Sequence, residues 1–159
     1  MSKRRIASSW DKRWMSMCAL VASWSKDRSR QTGAVIVDQY NTEISTGWNG
    51  FPRGIDDSVE ARHERPTKYA WTEHAERNAI YKAASLGRAT RGCTMYLPWF
   101  PCVDCARAII QSGISDIICV EPDWEDKIWG KDFIVVLEML EEAKVEINFL
   151  EGYEPPVIK

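Results

Sequence analysis

Two short motifs place a histidine and two cysteines, all metal-ligating residue types, at the starts of two predicted helices. The first is His74-Ala75-Glu76 and the second is Pro101-Cys102-Val103-Asp104-Cys105. Two thiolates three residues apart on a first helical turn converge on one ion, and an imidazole from a facing helix adds a third ligand. Two helix N-termini must therefore meet in the fold. The motifs predict an open zinc site with His74, Cys102 and Cys105 as ligands and a fourth position for water.

Each motif taken alone has a simpler interpretation. A single C-x-x-C pair is also typical of half a structural zinc site or of a redox pair. A structural zinc normally takes four protein ligands, whereas this sequence has only two histidines, His63 and His74, and its other three cysteines lie in apolar runs. A redox pair leaves His74 and Glu76 without a role. The combination favours a catalytic zinc.

Glu76 follows the ligand histidine by two residues, so its carboxylate points elsewhere than the imidazole yet stays near the metal. An open zinc site lowers the pKa of a bound water from ~16 to about 7. A carboxylate beside that water can take its proton and pass it to the substrate, a contribution of roughly 100- to 10,000-fold in rate. We expect Glu76 to be the catalytic proton shuttle.

The hydrophobic pattern predicts an α/β fold with three layers, α/β/α. The predicted helices cover residues 10–26, 74–86, 102–111 and 132–143, and the predicted strands cover residues 34–38, 43–48, 94–97, 117–120 and 145–149. The first two strands form a hairpin, and a loop rich in Gly and Pro begins at residue 49 and runs to about residue 72. The last three strands are joined through helices, which favours parallel pairing. We expect helices on both faces of a five-stranded mixed sheet, with ligands bound outside the strand ends.

Length and charge narrow the classes of protein further. The 159 residues suit one domain, predicted at 10–150, with a flexible N-terminus at 1–9 and a C-terminal tail at 151–159. The net charge of -2 disfavours a nucleic-acid partner, because gripping phosphates usually needs a basic surplus. The N-terminal region has no apolar stretch of signal-peptide or membrane-span length, so we expect a cytoplasmic protein without a membrane partner.

With the H-x-E and P-C-x-x-C motifs together, the chain resembles the deoxycytidylate (dCMP) deaminases of the cytidine deaminase-like superfamily. The resemblance extends from about residue 10 to residue 149. The zinc motifs identify the superfamily, and two further segments favour its nucleotide branch: Trp24-Ser25-Lys26-Asp27 and Gly47-Trp48-Asn49-Gly50-Phe51-Pro52. The resemblance implies a cytidine deaminase-like fold, one catalytic zinc ion, a homo-oligomer, and hydrolysis of the small-molecule substrate dCMP to dUMP and ammonia.

The resemblance also implies where the substrate binds. The expected contacts are Ser25, Lys26, Arg30, Asn49, Ala75, Phe100 and Trp124. Asn49 corresponds to an asparagine at the sugar and phosphate, and Ser25, Lys26 and Arg30 are candidates for the phosphate, which carries nearly two negative charges. Phe100, with its neighbour Trp99, is a candidate wall for the base. Trp124 falls where relatives carry an aromatic that closes over the nucleotide.

Regulation and two competing functions stay open at this point. Many dCMP deaminases are activated by dCTP and inhibited by dTTP near the Asn-Gly-x-Pro loop, which makes Arg53 and Asp57 candidate effector contacts. The tyrosine that commonly precedes Asn-Gly is Trp48 in this chain. The alternatives are a nucleoside or tRNA deaminase of the same superfamily, and a non-catalytic zinc-stabilised module that binds a nucleotide or a partner protein.

Overall fold

The computed structural model describes residues 2–154. The helices are α1 (Ser9–Ala22), α2 (Lys68–Trp71), α3 (Ala75–Ser85), α4 (Val103–Gln111) and α5 (Gly130–Glu142), with a 3-10 turn at Glu60–Arg62. The strands are β1 (Ser2–Ile6), β2 (Gly33–Val37), β3 (Glu43–Trp48), β4 (Thr94–Leu97), β5 (Asp116–Cys119) and β6 (Glu146–Glu151). Within residues 2–154, every helix is too short or too polar to cross a membrane. Residues 155–159 of the predicted tail lie outside the described residues.

Alternation along the strands divides the core into two clusters, one on each face of the sheet. In β2, Ala34 and Ile36 belong to the larger cluster with α3, α4 and α5, whereas Val35 and Val37 belong to the smaller cluster with α1. A period of two with apolar residues on both sides is typical of a strand that is covered on both faces. The predicted three-layer α/β/α class is confirmed.

Among residues 2–154 the sheet has six strands, in the order β1-β6-β5-β4-β2-β3, and the predicted number of five was wrong. β1, β6, β5 and β4 are parallel, while β2 is antiparallel to both of its neighbours. The additional strand is Ser2–Ile6, which pairs with Ile147–Glu151 of β6. This segment is polar and mostly exposed, so it lacks the β-rich apolar runs from which the other strands were predicted.

Asp11, a buried carboxylate, connects the N-terminal strand to α1 and β4. Arg5 donates two hydrogen bonds to Asp11, at 2.5 and 3.0 Å, and the Tyr96 hydroxyl donates another at 3.0 Å. Burial acts to raise the pKa of Asp11, but the hydrogen bonds from Arg5 and Ser8 outweigh burial and lower that pKa to about 2. Asp11 is therefore ionised at neutral pH and holds β1 in the sheet.

Two predicted boundaries near this region were wrong. The first helix ends at Ala22 instead of residue 26, because the chain turns toward β3 and the Ser25 hydroxyl donates a hydrogen bond to the Asn49 carbonyl at 2.7 Å. The predicted loop at 49–72 contains the 3-10 turn and α2. Lys68 of α2 is buried because its ammonium pairs with Asp27 at 2.8 Å.

The carboxyl ends of β3 and β4 lie at the same edge of the sheet, because both strands are antiparallel to β2. β4 leads into α4. After β3, Gly50 forms an antiparallel bridge with Glu73, with backbone hydrogen bonds of 3.0 and 2.8 Å, directly before α3 begins. The starts of α3 and α4 therefore meet at one edge, the place where sheets of this kind bind ligands.

Gly47 lets α3 approach the sheet closely. A Cβ atom at Gly47 would lie 2.3 Å from the Ala75 carbonyl oxygen and 2.4 Å from the Ala79 nitrogen, both backbone atoms of α3. No such contact occurs in real structures, so only glycine fits unless the helix moves. The position of the first turn of α3 thus depends on residue 47.

We expect Gly47→Ala to lower the free energy of unfolding by about 1–3 kcal/mol, because the added methyl overpacks the contact between β3 and α3. Thermal or urea unfolding followed by circular dichroism measures this loss. Gly50→Ala is the matched control, since a Cβ there has nothing within 4 Å. Equal stability of the two variants would contradict the close-approach argument.

Candidate metal centre and active site

The backbone places both motifs at helix N-termini, as predicted. His74 is the residue directly before α3, and Cys102 is the residue directly before α4, each with extended backbone angles. Cys105 lies in the first turn of α4. Backbone N–H groups at a helix start favour negative charge, which suits thiolates.

The side chains of the predicted ligands converge. The sulfur atoms of Cys102 and Cys105 are each 3.5 Å from His74 Nδ1, and all three ligand atoms lie within 4.8 Å of one another. His74 is exposed, Cys102 is half-buried and Cys105 is buried. The cluster is therefore buried at Cys105 and open to solvent at His74.

The two cysteines share one negative charge in the protein alone. The pKa of Cys102 is lowered to about 4, first because Cys105 donates a hydrogen bond to its sulfur and also because His74 lies beside it. The pKa of Cys105 is raised, because a second thiolate would face the first and burial disfavours its charge. A divalent cation between the sulfurs removes this conflict, since it favours both thiolates at once. The donor set of two sulfurs and one imidazole nitrogen fits zinc.

Glu76 lies on the first turn of α3, half-buried beside the three converging side chains. Burial is the main reason that its pKa is raised, and His74, Cys102 and Cys105 all act on that pKa. A carboxyl group whose pKa is raised exchanges its proton more readily near neutral pH. The geometry thus allows Glu76 to act on protons beside the metal ligands.

Asn49 fixes the loop that precedes β2. Its side-chain oxygen accepts a hydrogen bond from the Thr32 N–H at 2.8 Å, and its amide donates one to the Arg30 carbonyl at 2.8 Å. Its own carbonyl accepts the bond from Ser25, whose side chain is buried. Asn49 and Ser25, both predicted to contact substrate, therefore also hold residues 25–32 against the end of β3.

The predicted aromatic residues occupy two different environments. Phe100 is buried in an aromatic cluster, edge-to-face with Trp124 and Phe133 and tilted against Phe149, at ring separations of 5.7 to 5.8 Å. Trp99 is 46% exposed, and the Arg30 guanidinium lies over its ring at 4.8 Å. Of these aromatics, Trp99 offers the most open surface beside the cysteine motif. Substrate contacts of Phe100 and Trp124 stay predictions.

A cavity of about 250 Å³ is lined by Asn49 and Gly50 and by none of the predicted metal ligands. Lys26, Asp57 and Lys68 are among the residues that line it, together with Trp24 and Phe51. Lys26 and Asp57 form an ion pair at 2.6 Å. The candidate active site is therefore assigned from the chemistry of its donor set and not from this cavity. Of the remaining predicted residues, Ala75 is buried and Arg53 is exposed.

Sequence reasoning missed Arg77, which lies beside the metal ligands. Its guanidinium pairs with Glu73 at 2.5 Å and with Asp104 at 3.6 Å. The sequence signal for this contact was the spacing of Glu73 and Arg77, because an acid four residues before an arginine near a helix start is placed to form an ion pair with it.

Comparison with known proteins gives the family. The sequence profile of the cytidine and deoxycytidylate deaminase zinc-binding region matches residues 8–121. An uncharacterized deaminase from the luxG 3′ region of Aliivibrio fischeri is 45% identical over 147 residues, which covers 91% of this chain and 96% of that protein. The human deoxycytidylate deaminase is 38% identical over 129 residues, covering 78% of this chain and 71% of the human protein.

Among solved structures, the apo dCMP deaminase of the cyanophage S-TIM5 superposes with a TM-score of 0.71 at 22% identity, covering 91% of this chain and all of the phage chain. The same phage enzyme in complex with dCMP and dUMP also gives a TM-score of 0.71. These likenesses confirm the predicted fold, and the profile and the sequence relatives confirm the predicted family. This chain belongs to the zinc-binding family of cytidine and deoxycytidylate deaminases.

Proposed function

We propose that this chain is a hydrolase that converts dCMP and water to dUMP and ammonia. One zinc ion is held by His74, Cys102 and Cys105, and Glu76 is the catalytic residue. The observation that carries the proposal is the convergence of these three ligand atoms beside a half-buried carboxyl group. The arrangement lies in a chain that is 38% identical to the human deoxycytidylate deaminase.

The chain's own residues supply ligands and proton transfer. Held by His74, Cys102 and Cys105, zinc would supply a Lewis acid that lowers the pKa of water to about 7. Glu76 takes one proton of the attacking water and delivers it to the ring nitrogen next to the attacked carbon. Glu76 then takes the remaining proton of the added hydroxyl and passes it to the exocyclic amine, which leaves as ammonia while the carbon keeps the oxygen as a carbonyl. The raised pKa of Glu76 suits a group that must both accept and release a proton.

The edge of the sheet beside the metal ligands supports a phosphorylated substrate. Arg30 belongs to the loop that Asn49 holds at this edge, and its guanidinium lies over the exposed ring of Trp99. A phosphomonoester carries nearly two negative charges and binds guanidinium groups well. We therefore assign Arg30 to the phosphate and Trp99 to the neighbouring wall, with Asn49 and Ser25 positioning the loop.

We expect Glu76→Gln to lower kcat by roughly 100- to 10,000-fold, because the amide cannot carry a proton. Its zinc content should stay at one ion per chain, measured by elemental analysis, since Glu76 is not a ligand. Glu142→Gln, an exposed acid on α5, is the control and should keep full activity. A parent protein without stoichiometric zinc, or a Glu76→Gln variant with unchanged kcat, would contradict the proposal. If the parent protein deaminates none of the substrates tested, the alternative of a non-catalytic zinc-stabilised module is favoured.

We expect the enzyme to prefer dCMP over CMP, deoxycytidine and cytosine in an ultraviolet assay of deamination. Arg30→Gln should raise the KM for dCMP by about tenfold, the value of one hydrogen bond to a charged group, and leave the KM for deoxycytidine unchanged. Arg13→Gln is the matched control, because Arg13 also lies over an indole, that of Trp10 at 4.7 Å, on a helix remote from the site. A preference for deoxycytidine, or for a tRNA substrate, would overturn the dCMP assignment in favour of the alternative deaminases.

The proposal extends to regulation, assembly and location. We propose that the protein is a cytoplasmic homo-oligomer. We also propose that its effectors, dCTP and dTTP, bind in the cavity of about 250 Å³ that Asn49 lines. Aromatic rings there provide surface for a base, and Lys26, Arg28 and Lys68 provide cations for phosphates. Asp57 lines this cavity. Arg53 lies in the sequence between Phe51 and Asp57, which both line it.

We expect dCTP to raise and dTTP to lower the rate of dCMP deamination, with light scattering reporting the assembly in the same samples. Asp57→Asn should shift the dCTP concentration that gives half the effect, because Asp57 restrains Lys26 in the cavity. Identical rates with and without both nucleotides would argue against an effector site.

A further inference from the structure

Two helices that begin far apart in the sequence must keep their starts together for the ligand atoms to converge. α3 supplies His74, and α4 supplies Cys102 and Cys105. Ala79 of α3 and Ala106 of α4 both belong to the larger apolar cluster of the core. At the level of the ligands themselves, some other interaction must connect the two starts.

Arg77 makes that connection. It lies on the first turn of α3, with its side chain 18% exposed, and its guanidinium faces Glu73 on one side and Asp104 on the other. Asp104 is located between the two cysteines in the sequence, on the first turn of α4. Among residues 2–154, the Arg77–Asp104 contact is the one ion pair that joins α3 to α4.

Glu73 extends the connection to the histidine and to the sheet. Its carboxylate accepts hydrogen bonds from the backbone N–H of His74 at 3.0 Å and from Arg77 Nε at 2.5 Å. Its backbone forms the bridge with Gly50 after β3. One guanidinium thus contacts both a carboxylate that fixes the histidine and a carboxylate that lies between the cysteines.

Charge complements this geometry. Burial acts to lower the pKa of Arg77, but Glu73 and both cysteine sulfurs raise it, so the guanidinium stays charged beside the thiolates. A fixed cation near two thiolates reduces their mutual repulsion. Residues that orient metal ligands without binding the metal typically change metal affinity by 10- to 100-fold when they are replaced.

We propose that Arg77 is a positioning residue that holds the two halves of the metal site in register and thereby slows zinc loss. The proposal rests on the zinc site of the proposed function. Arg77 contacts neither substrate nor metal in this role. It acts through Glu73 on the histidine side and through Asp104 on the cysteine side.

The test is the rate at which the zinc-loaded protein transfers its metal to an excess of a chromophoric chelator. We expect Arg77→Gln to release zinc about tenfold faster than the parent protein. Asp104→Asn should also release zinc faster than the parent protein. The Arg77→Gln/Asp104→Asn double variant should increase the release rate by less than the product of the two single increases, because both substitutions remove the same contact. Arg77→Lys should restore only part of the retention, since an ammonium cannot contact two carboxylates in the fork geometry of a guanidinium.

Two controls separate positioning from general stability. Arg107→Gln removes another arginine that pairs with Asp104, but Arg107 lies on α4 itself and joins no second helix, so zinc release should be unchanged. Val136→Ala creates a cavity in the buried core at α5, so it should lower the melting temperature without faster zinc release at 25 °C. Zinc release from Arg77→Gln at the parental rate would overturn the inference while leaving the proposed function intact. Absence of zinc from the parent protein would instead overturn the zinc site itself.

Discussion

An imidazole and two thiolates can meet only where the starts of two helices meet, and this requirement organises the molecule. The carboxyl ends of β3 and β4 lie at the same edge of the sheet because both strands are antiparallel to β2. One strand end leads directly into α4, and the other is bridged to Glu73 before α3. Gly47 then allows α3 to lie against β3. The sheet, the glycine and the bridge together bring His74 to the cysteines.

The same edge concentrates groups that are unfavourable in isolation. Two adjacent thiols cannot both lose a proton without a cation nearby, and a buried carboxyl group resists ionisation. A metal ion between the sulfurs would stabilise both thiolates, and groups with perturbed pKa values are typical of functional sites. The Arg77 guanidinium, held by its ion pairs, adds a fixed positive charge beside these groups.

The sequence was sufficient where the signal is local. The spacing of Cys102 and Cys105 on one helical turn predicted two of the ligands, and the β-rich run at residues 34–38 predicted β2 (Gly33–Val37), because each signal depends on neighbours in the chain. Ser2–Ile6 could not be predicted in this way, since its strand forms by backbone pairing with a segment at the other end of the chain. Phe100 and Trp99 are adjacent aromatics, and only the fold shows that one packs in the core while the other remains open. The contacts by which Asn49 holds residues 25–32 likewise depend on the fold and are not encoded by any spacing in the sequence.

The backbone bridge between Gly50 and Glu73 has an evolutionary consequence. It brings the two ends of the long intervening segment side by side, so that segment leaves the sheet and returns to it at a single point. The entropy of closing such a loop grows only slowly with its length. Insertions or deletions between these two residues can therefore accumulate with little displacement of the histidine that follows. The segment between Gly50 and Glu73 can therefore change in length and surface without displacing the metal-ligating residues.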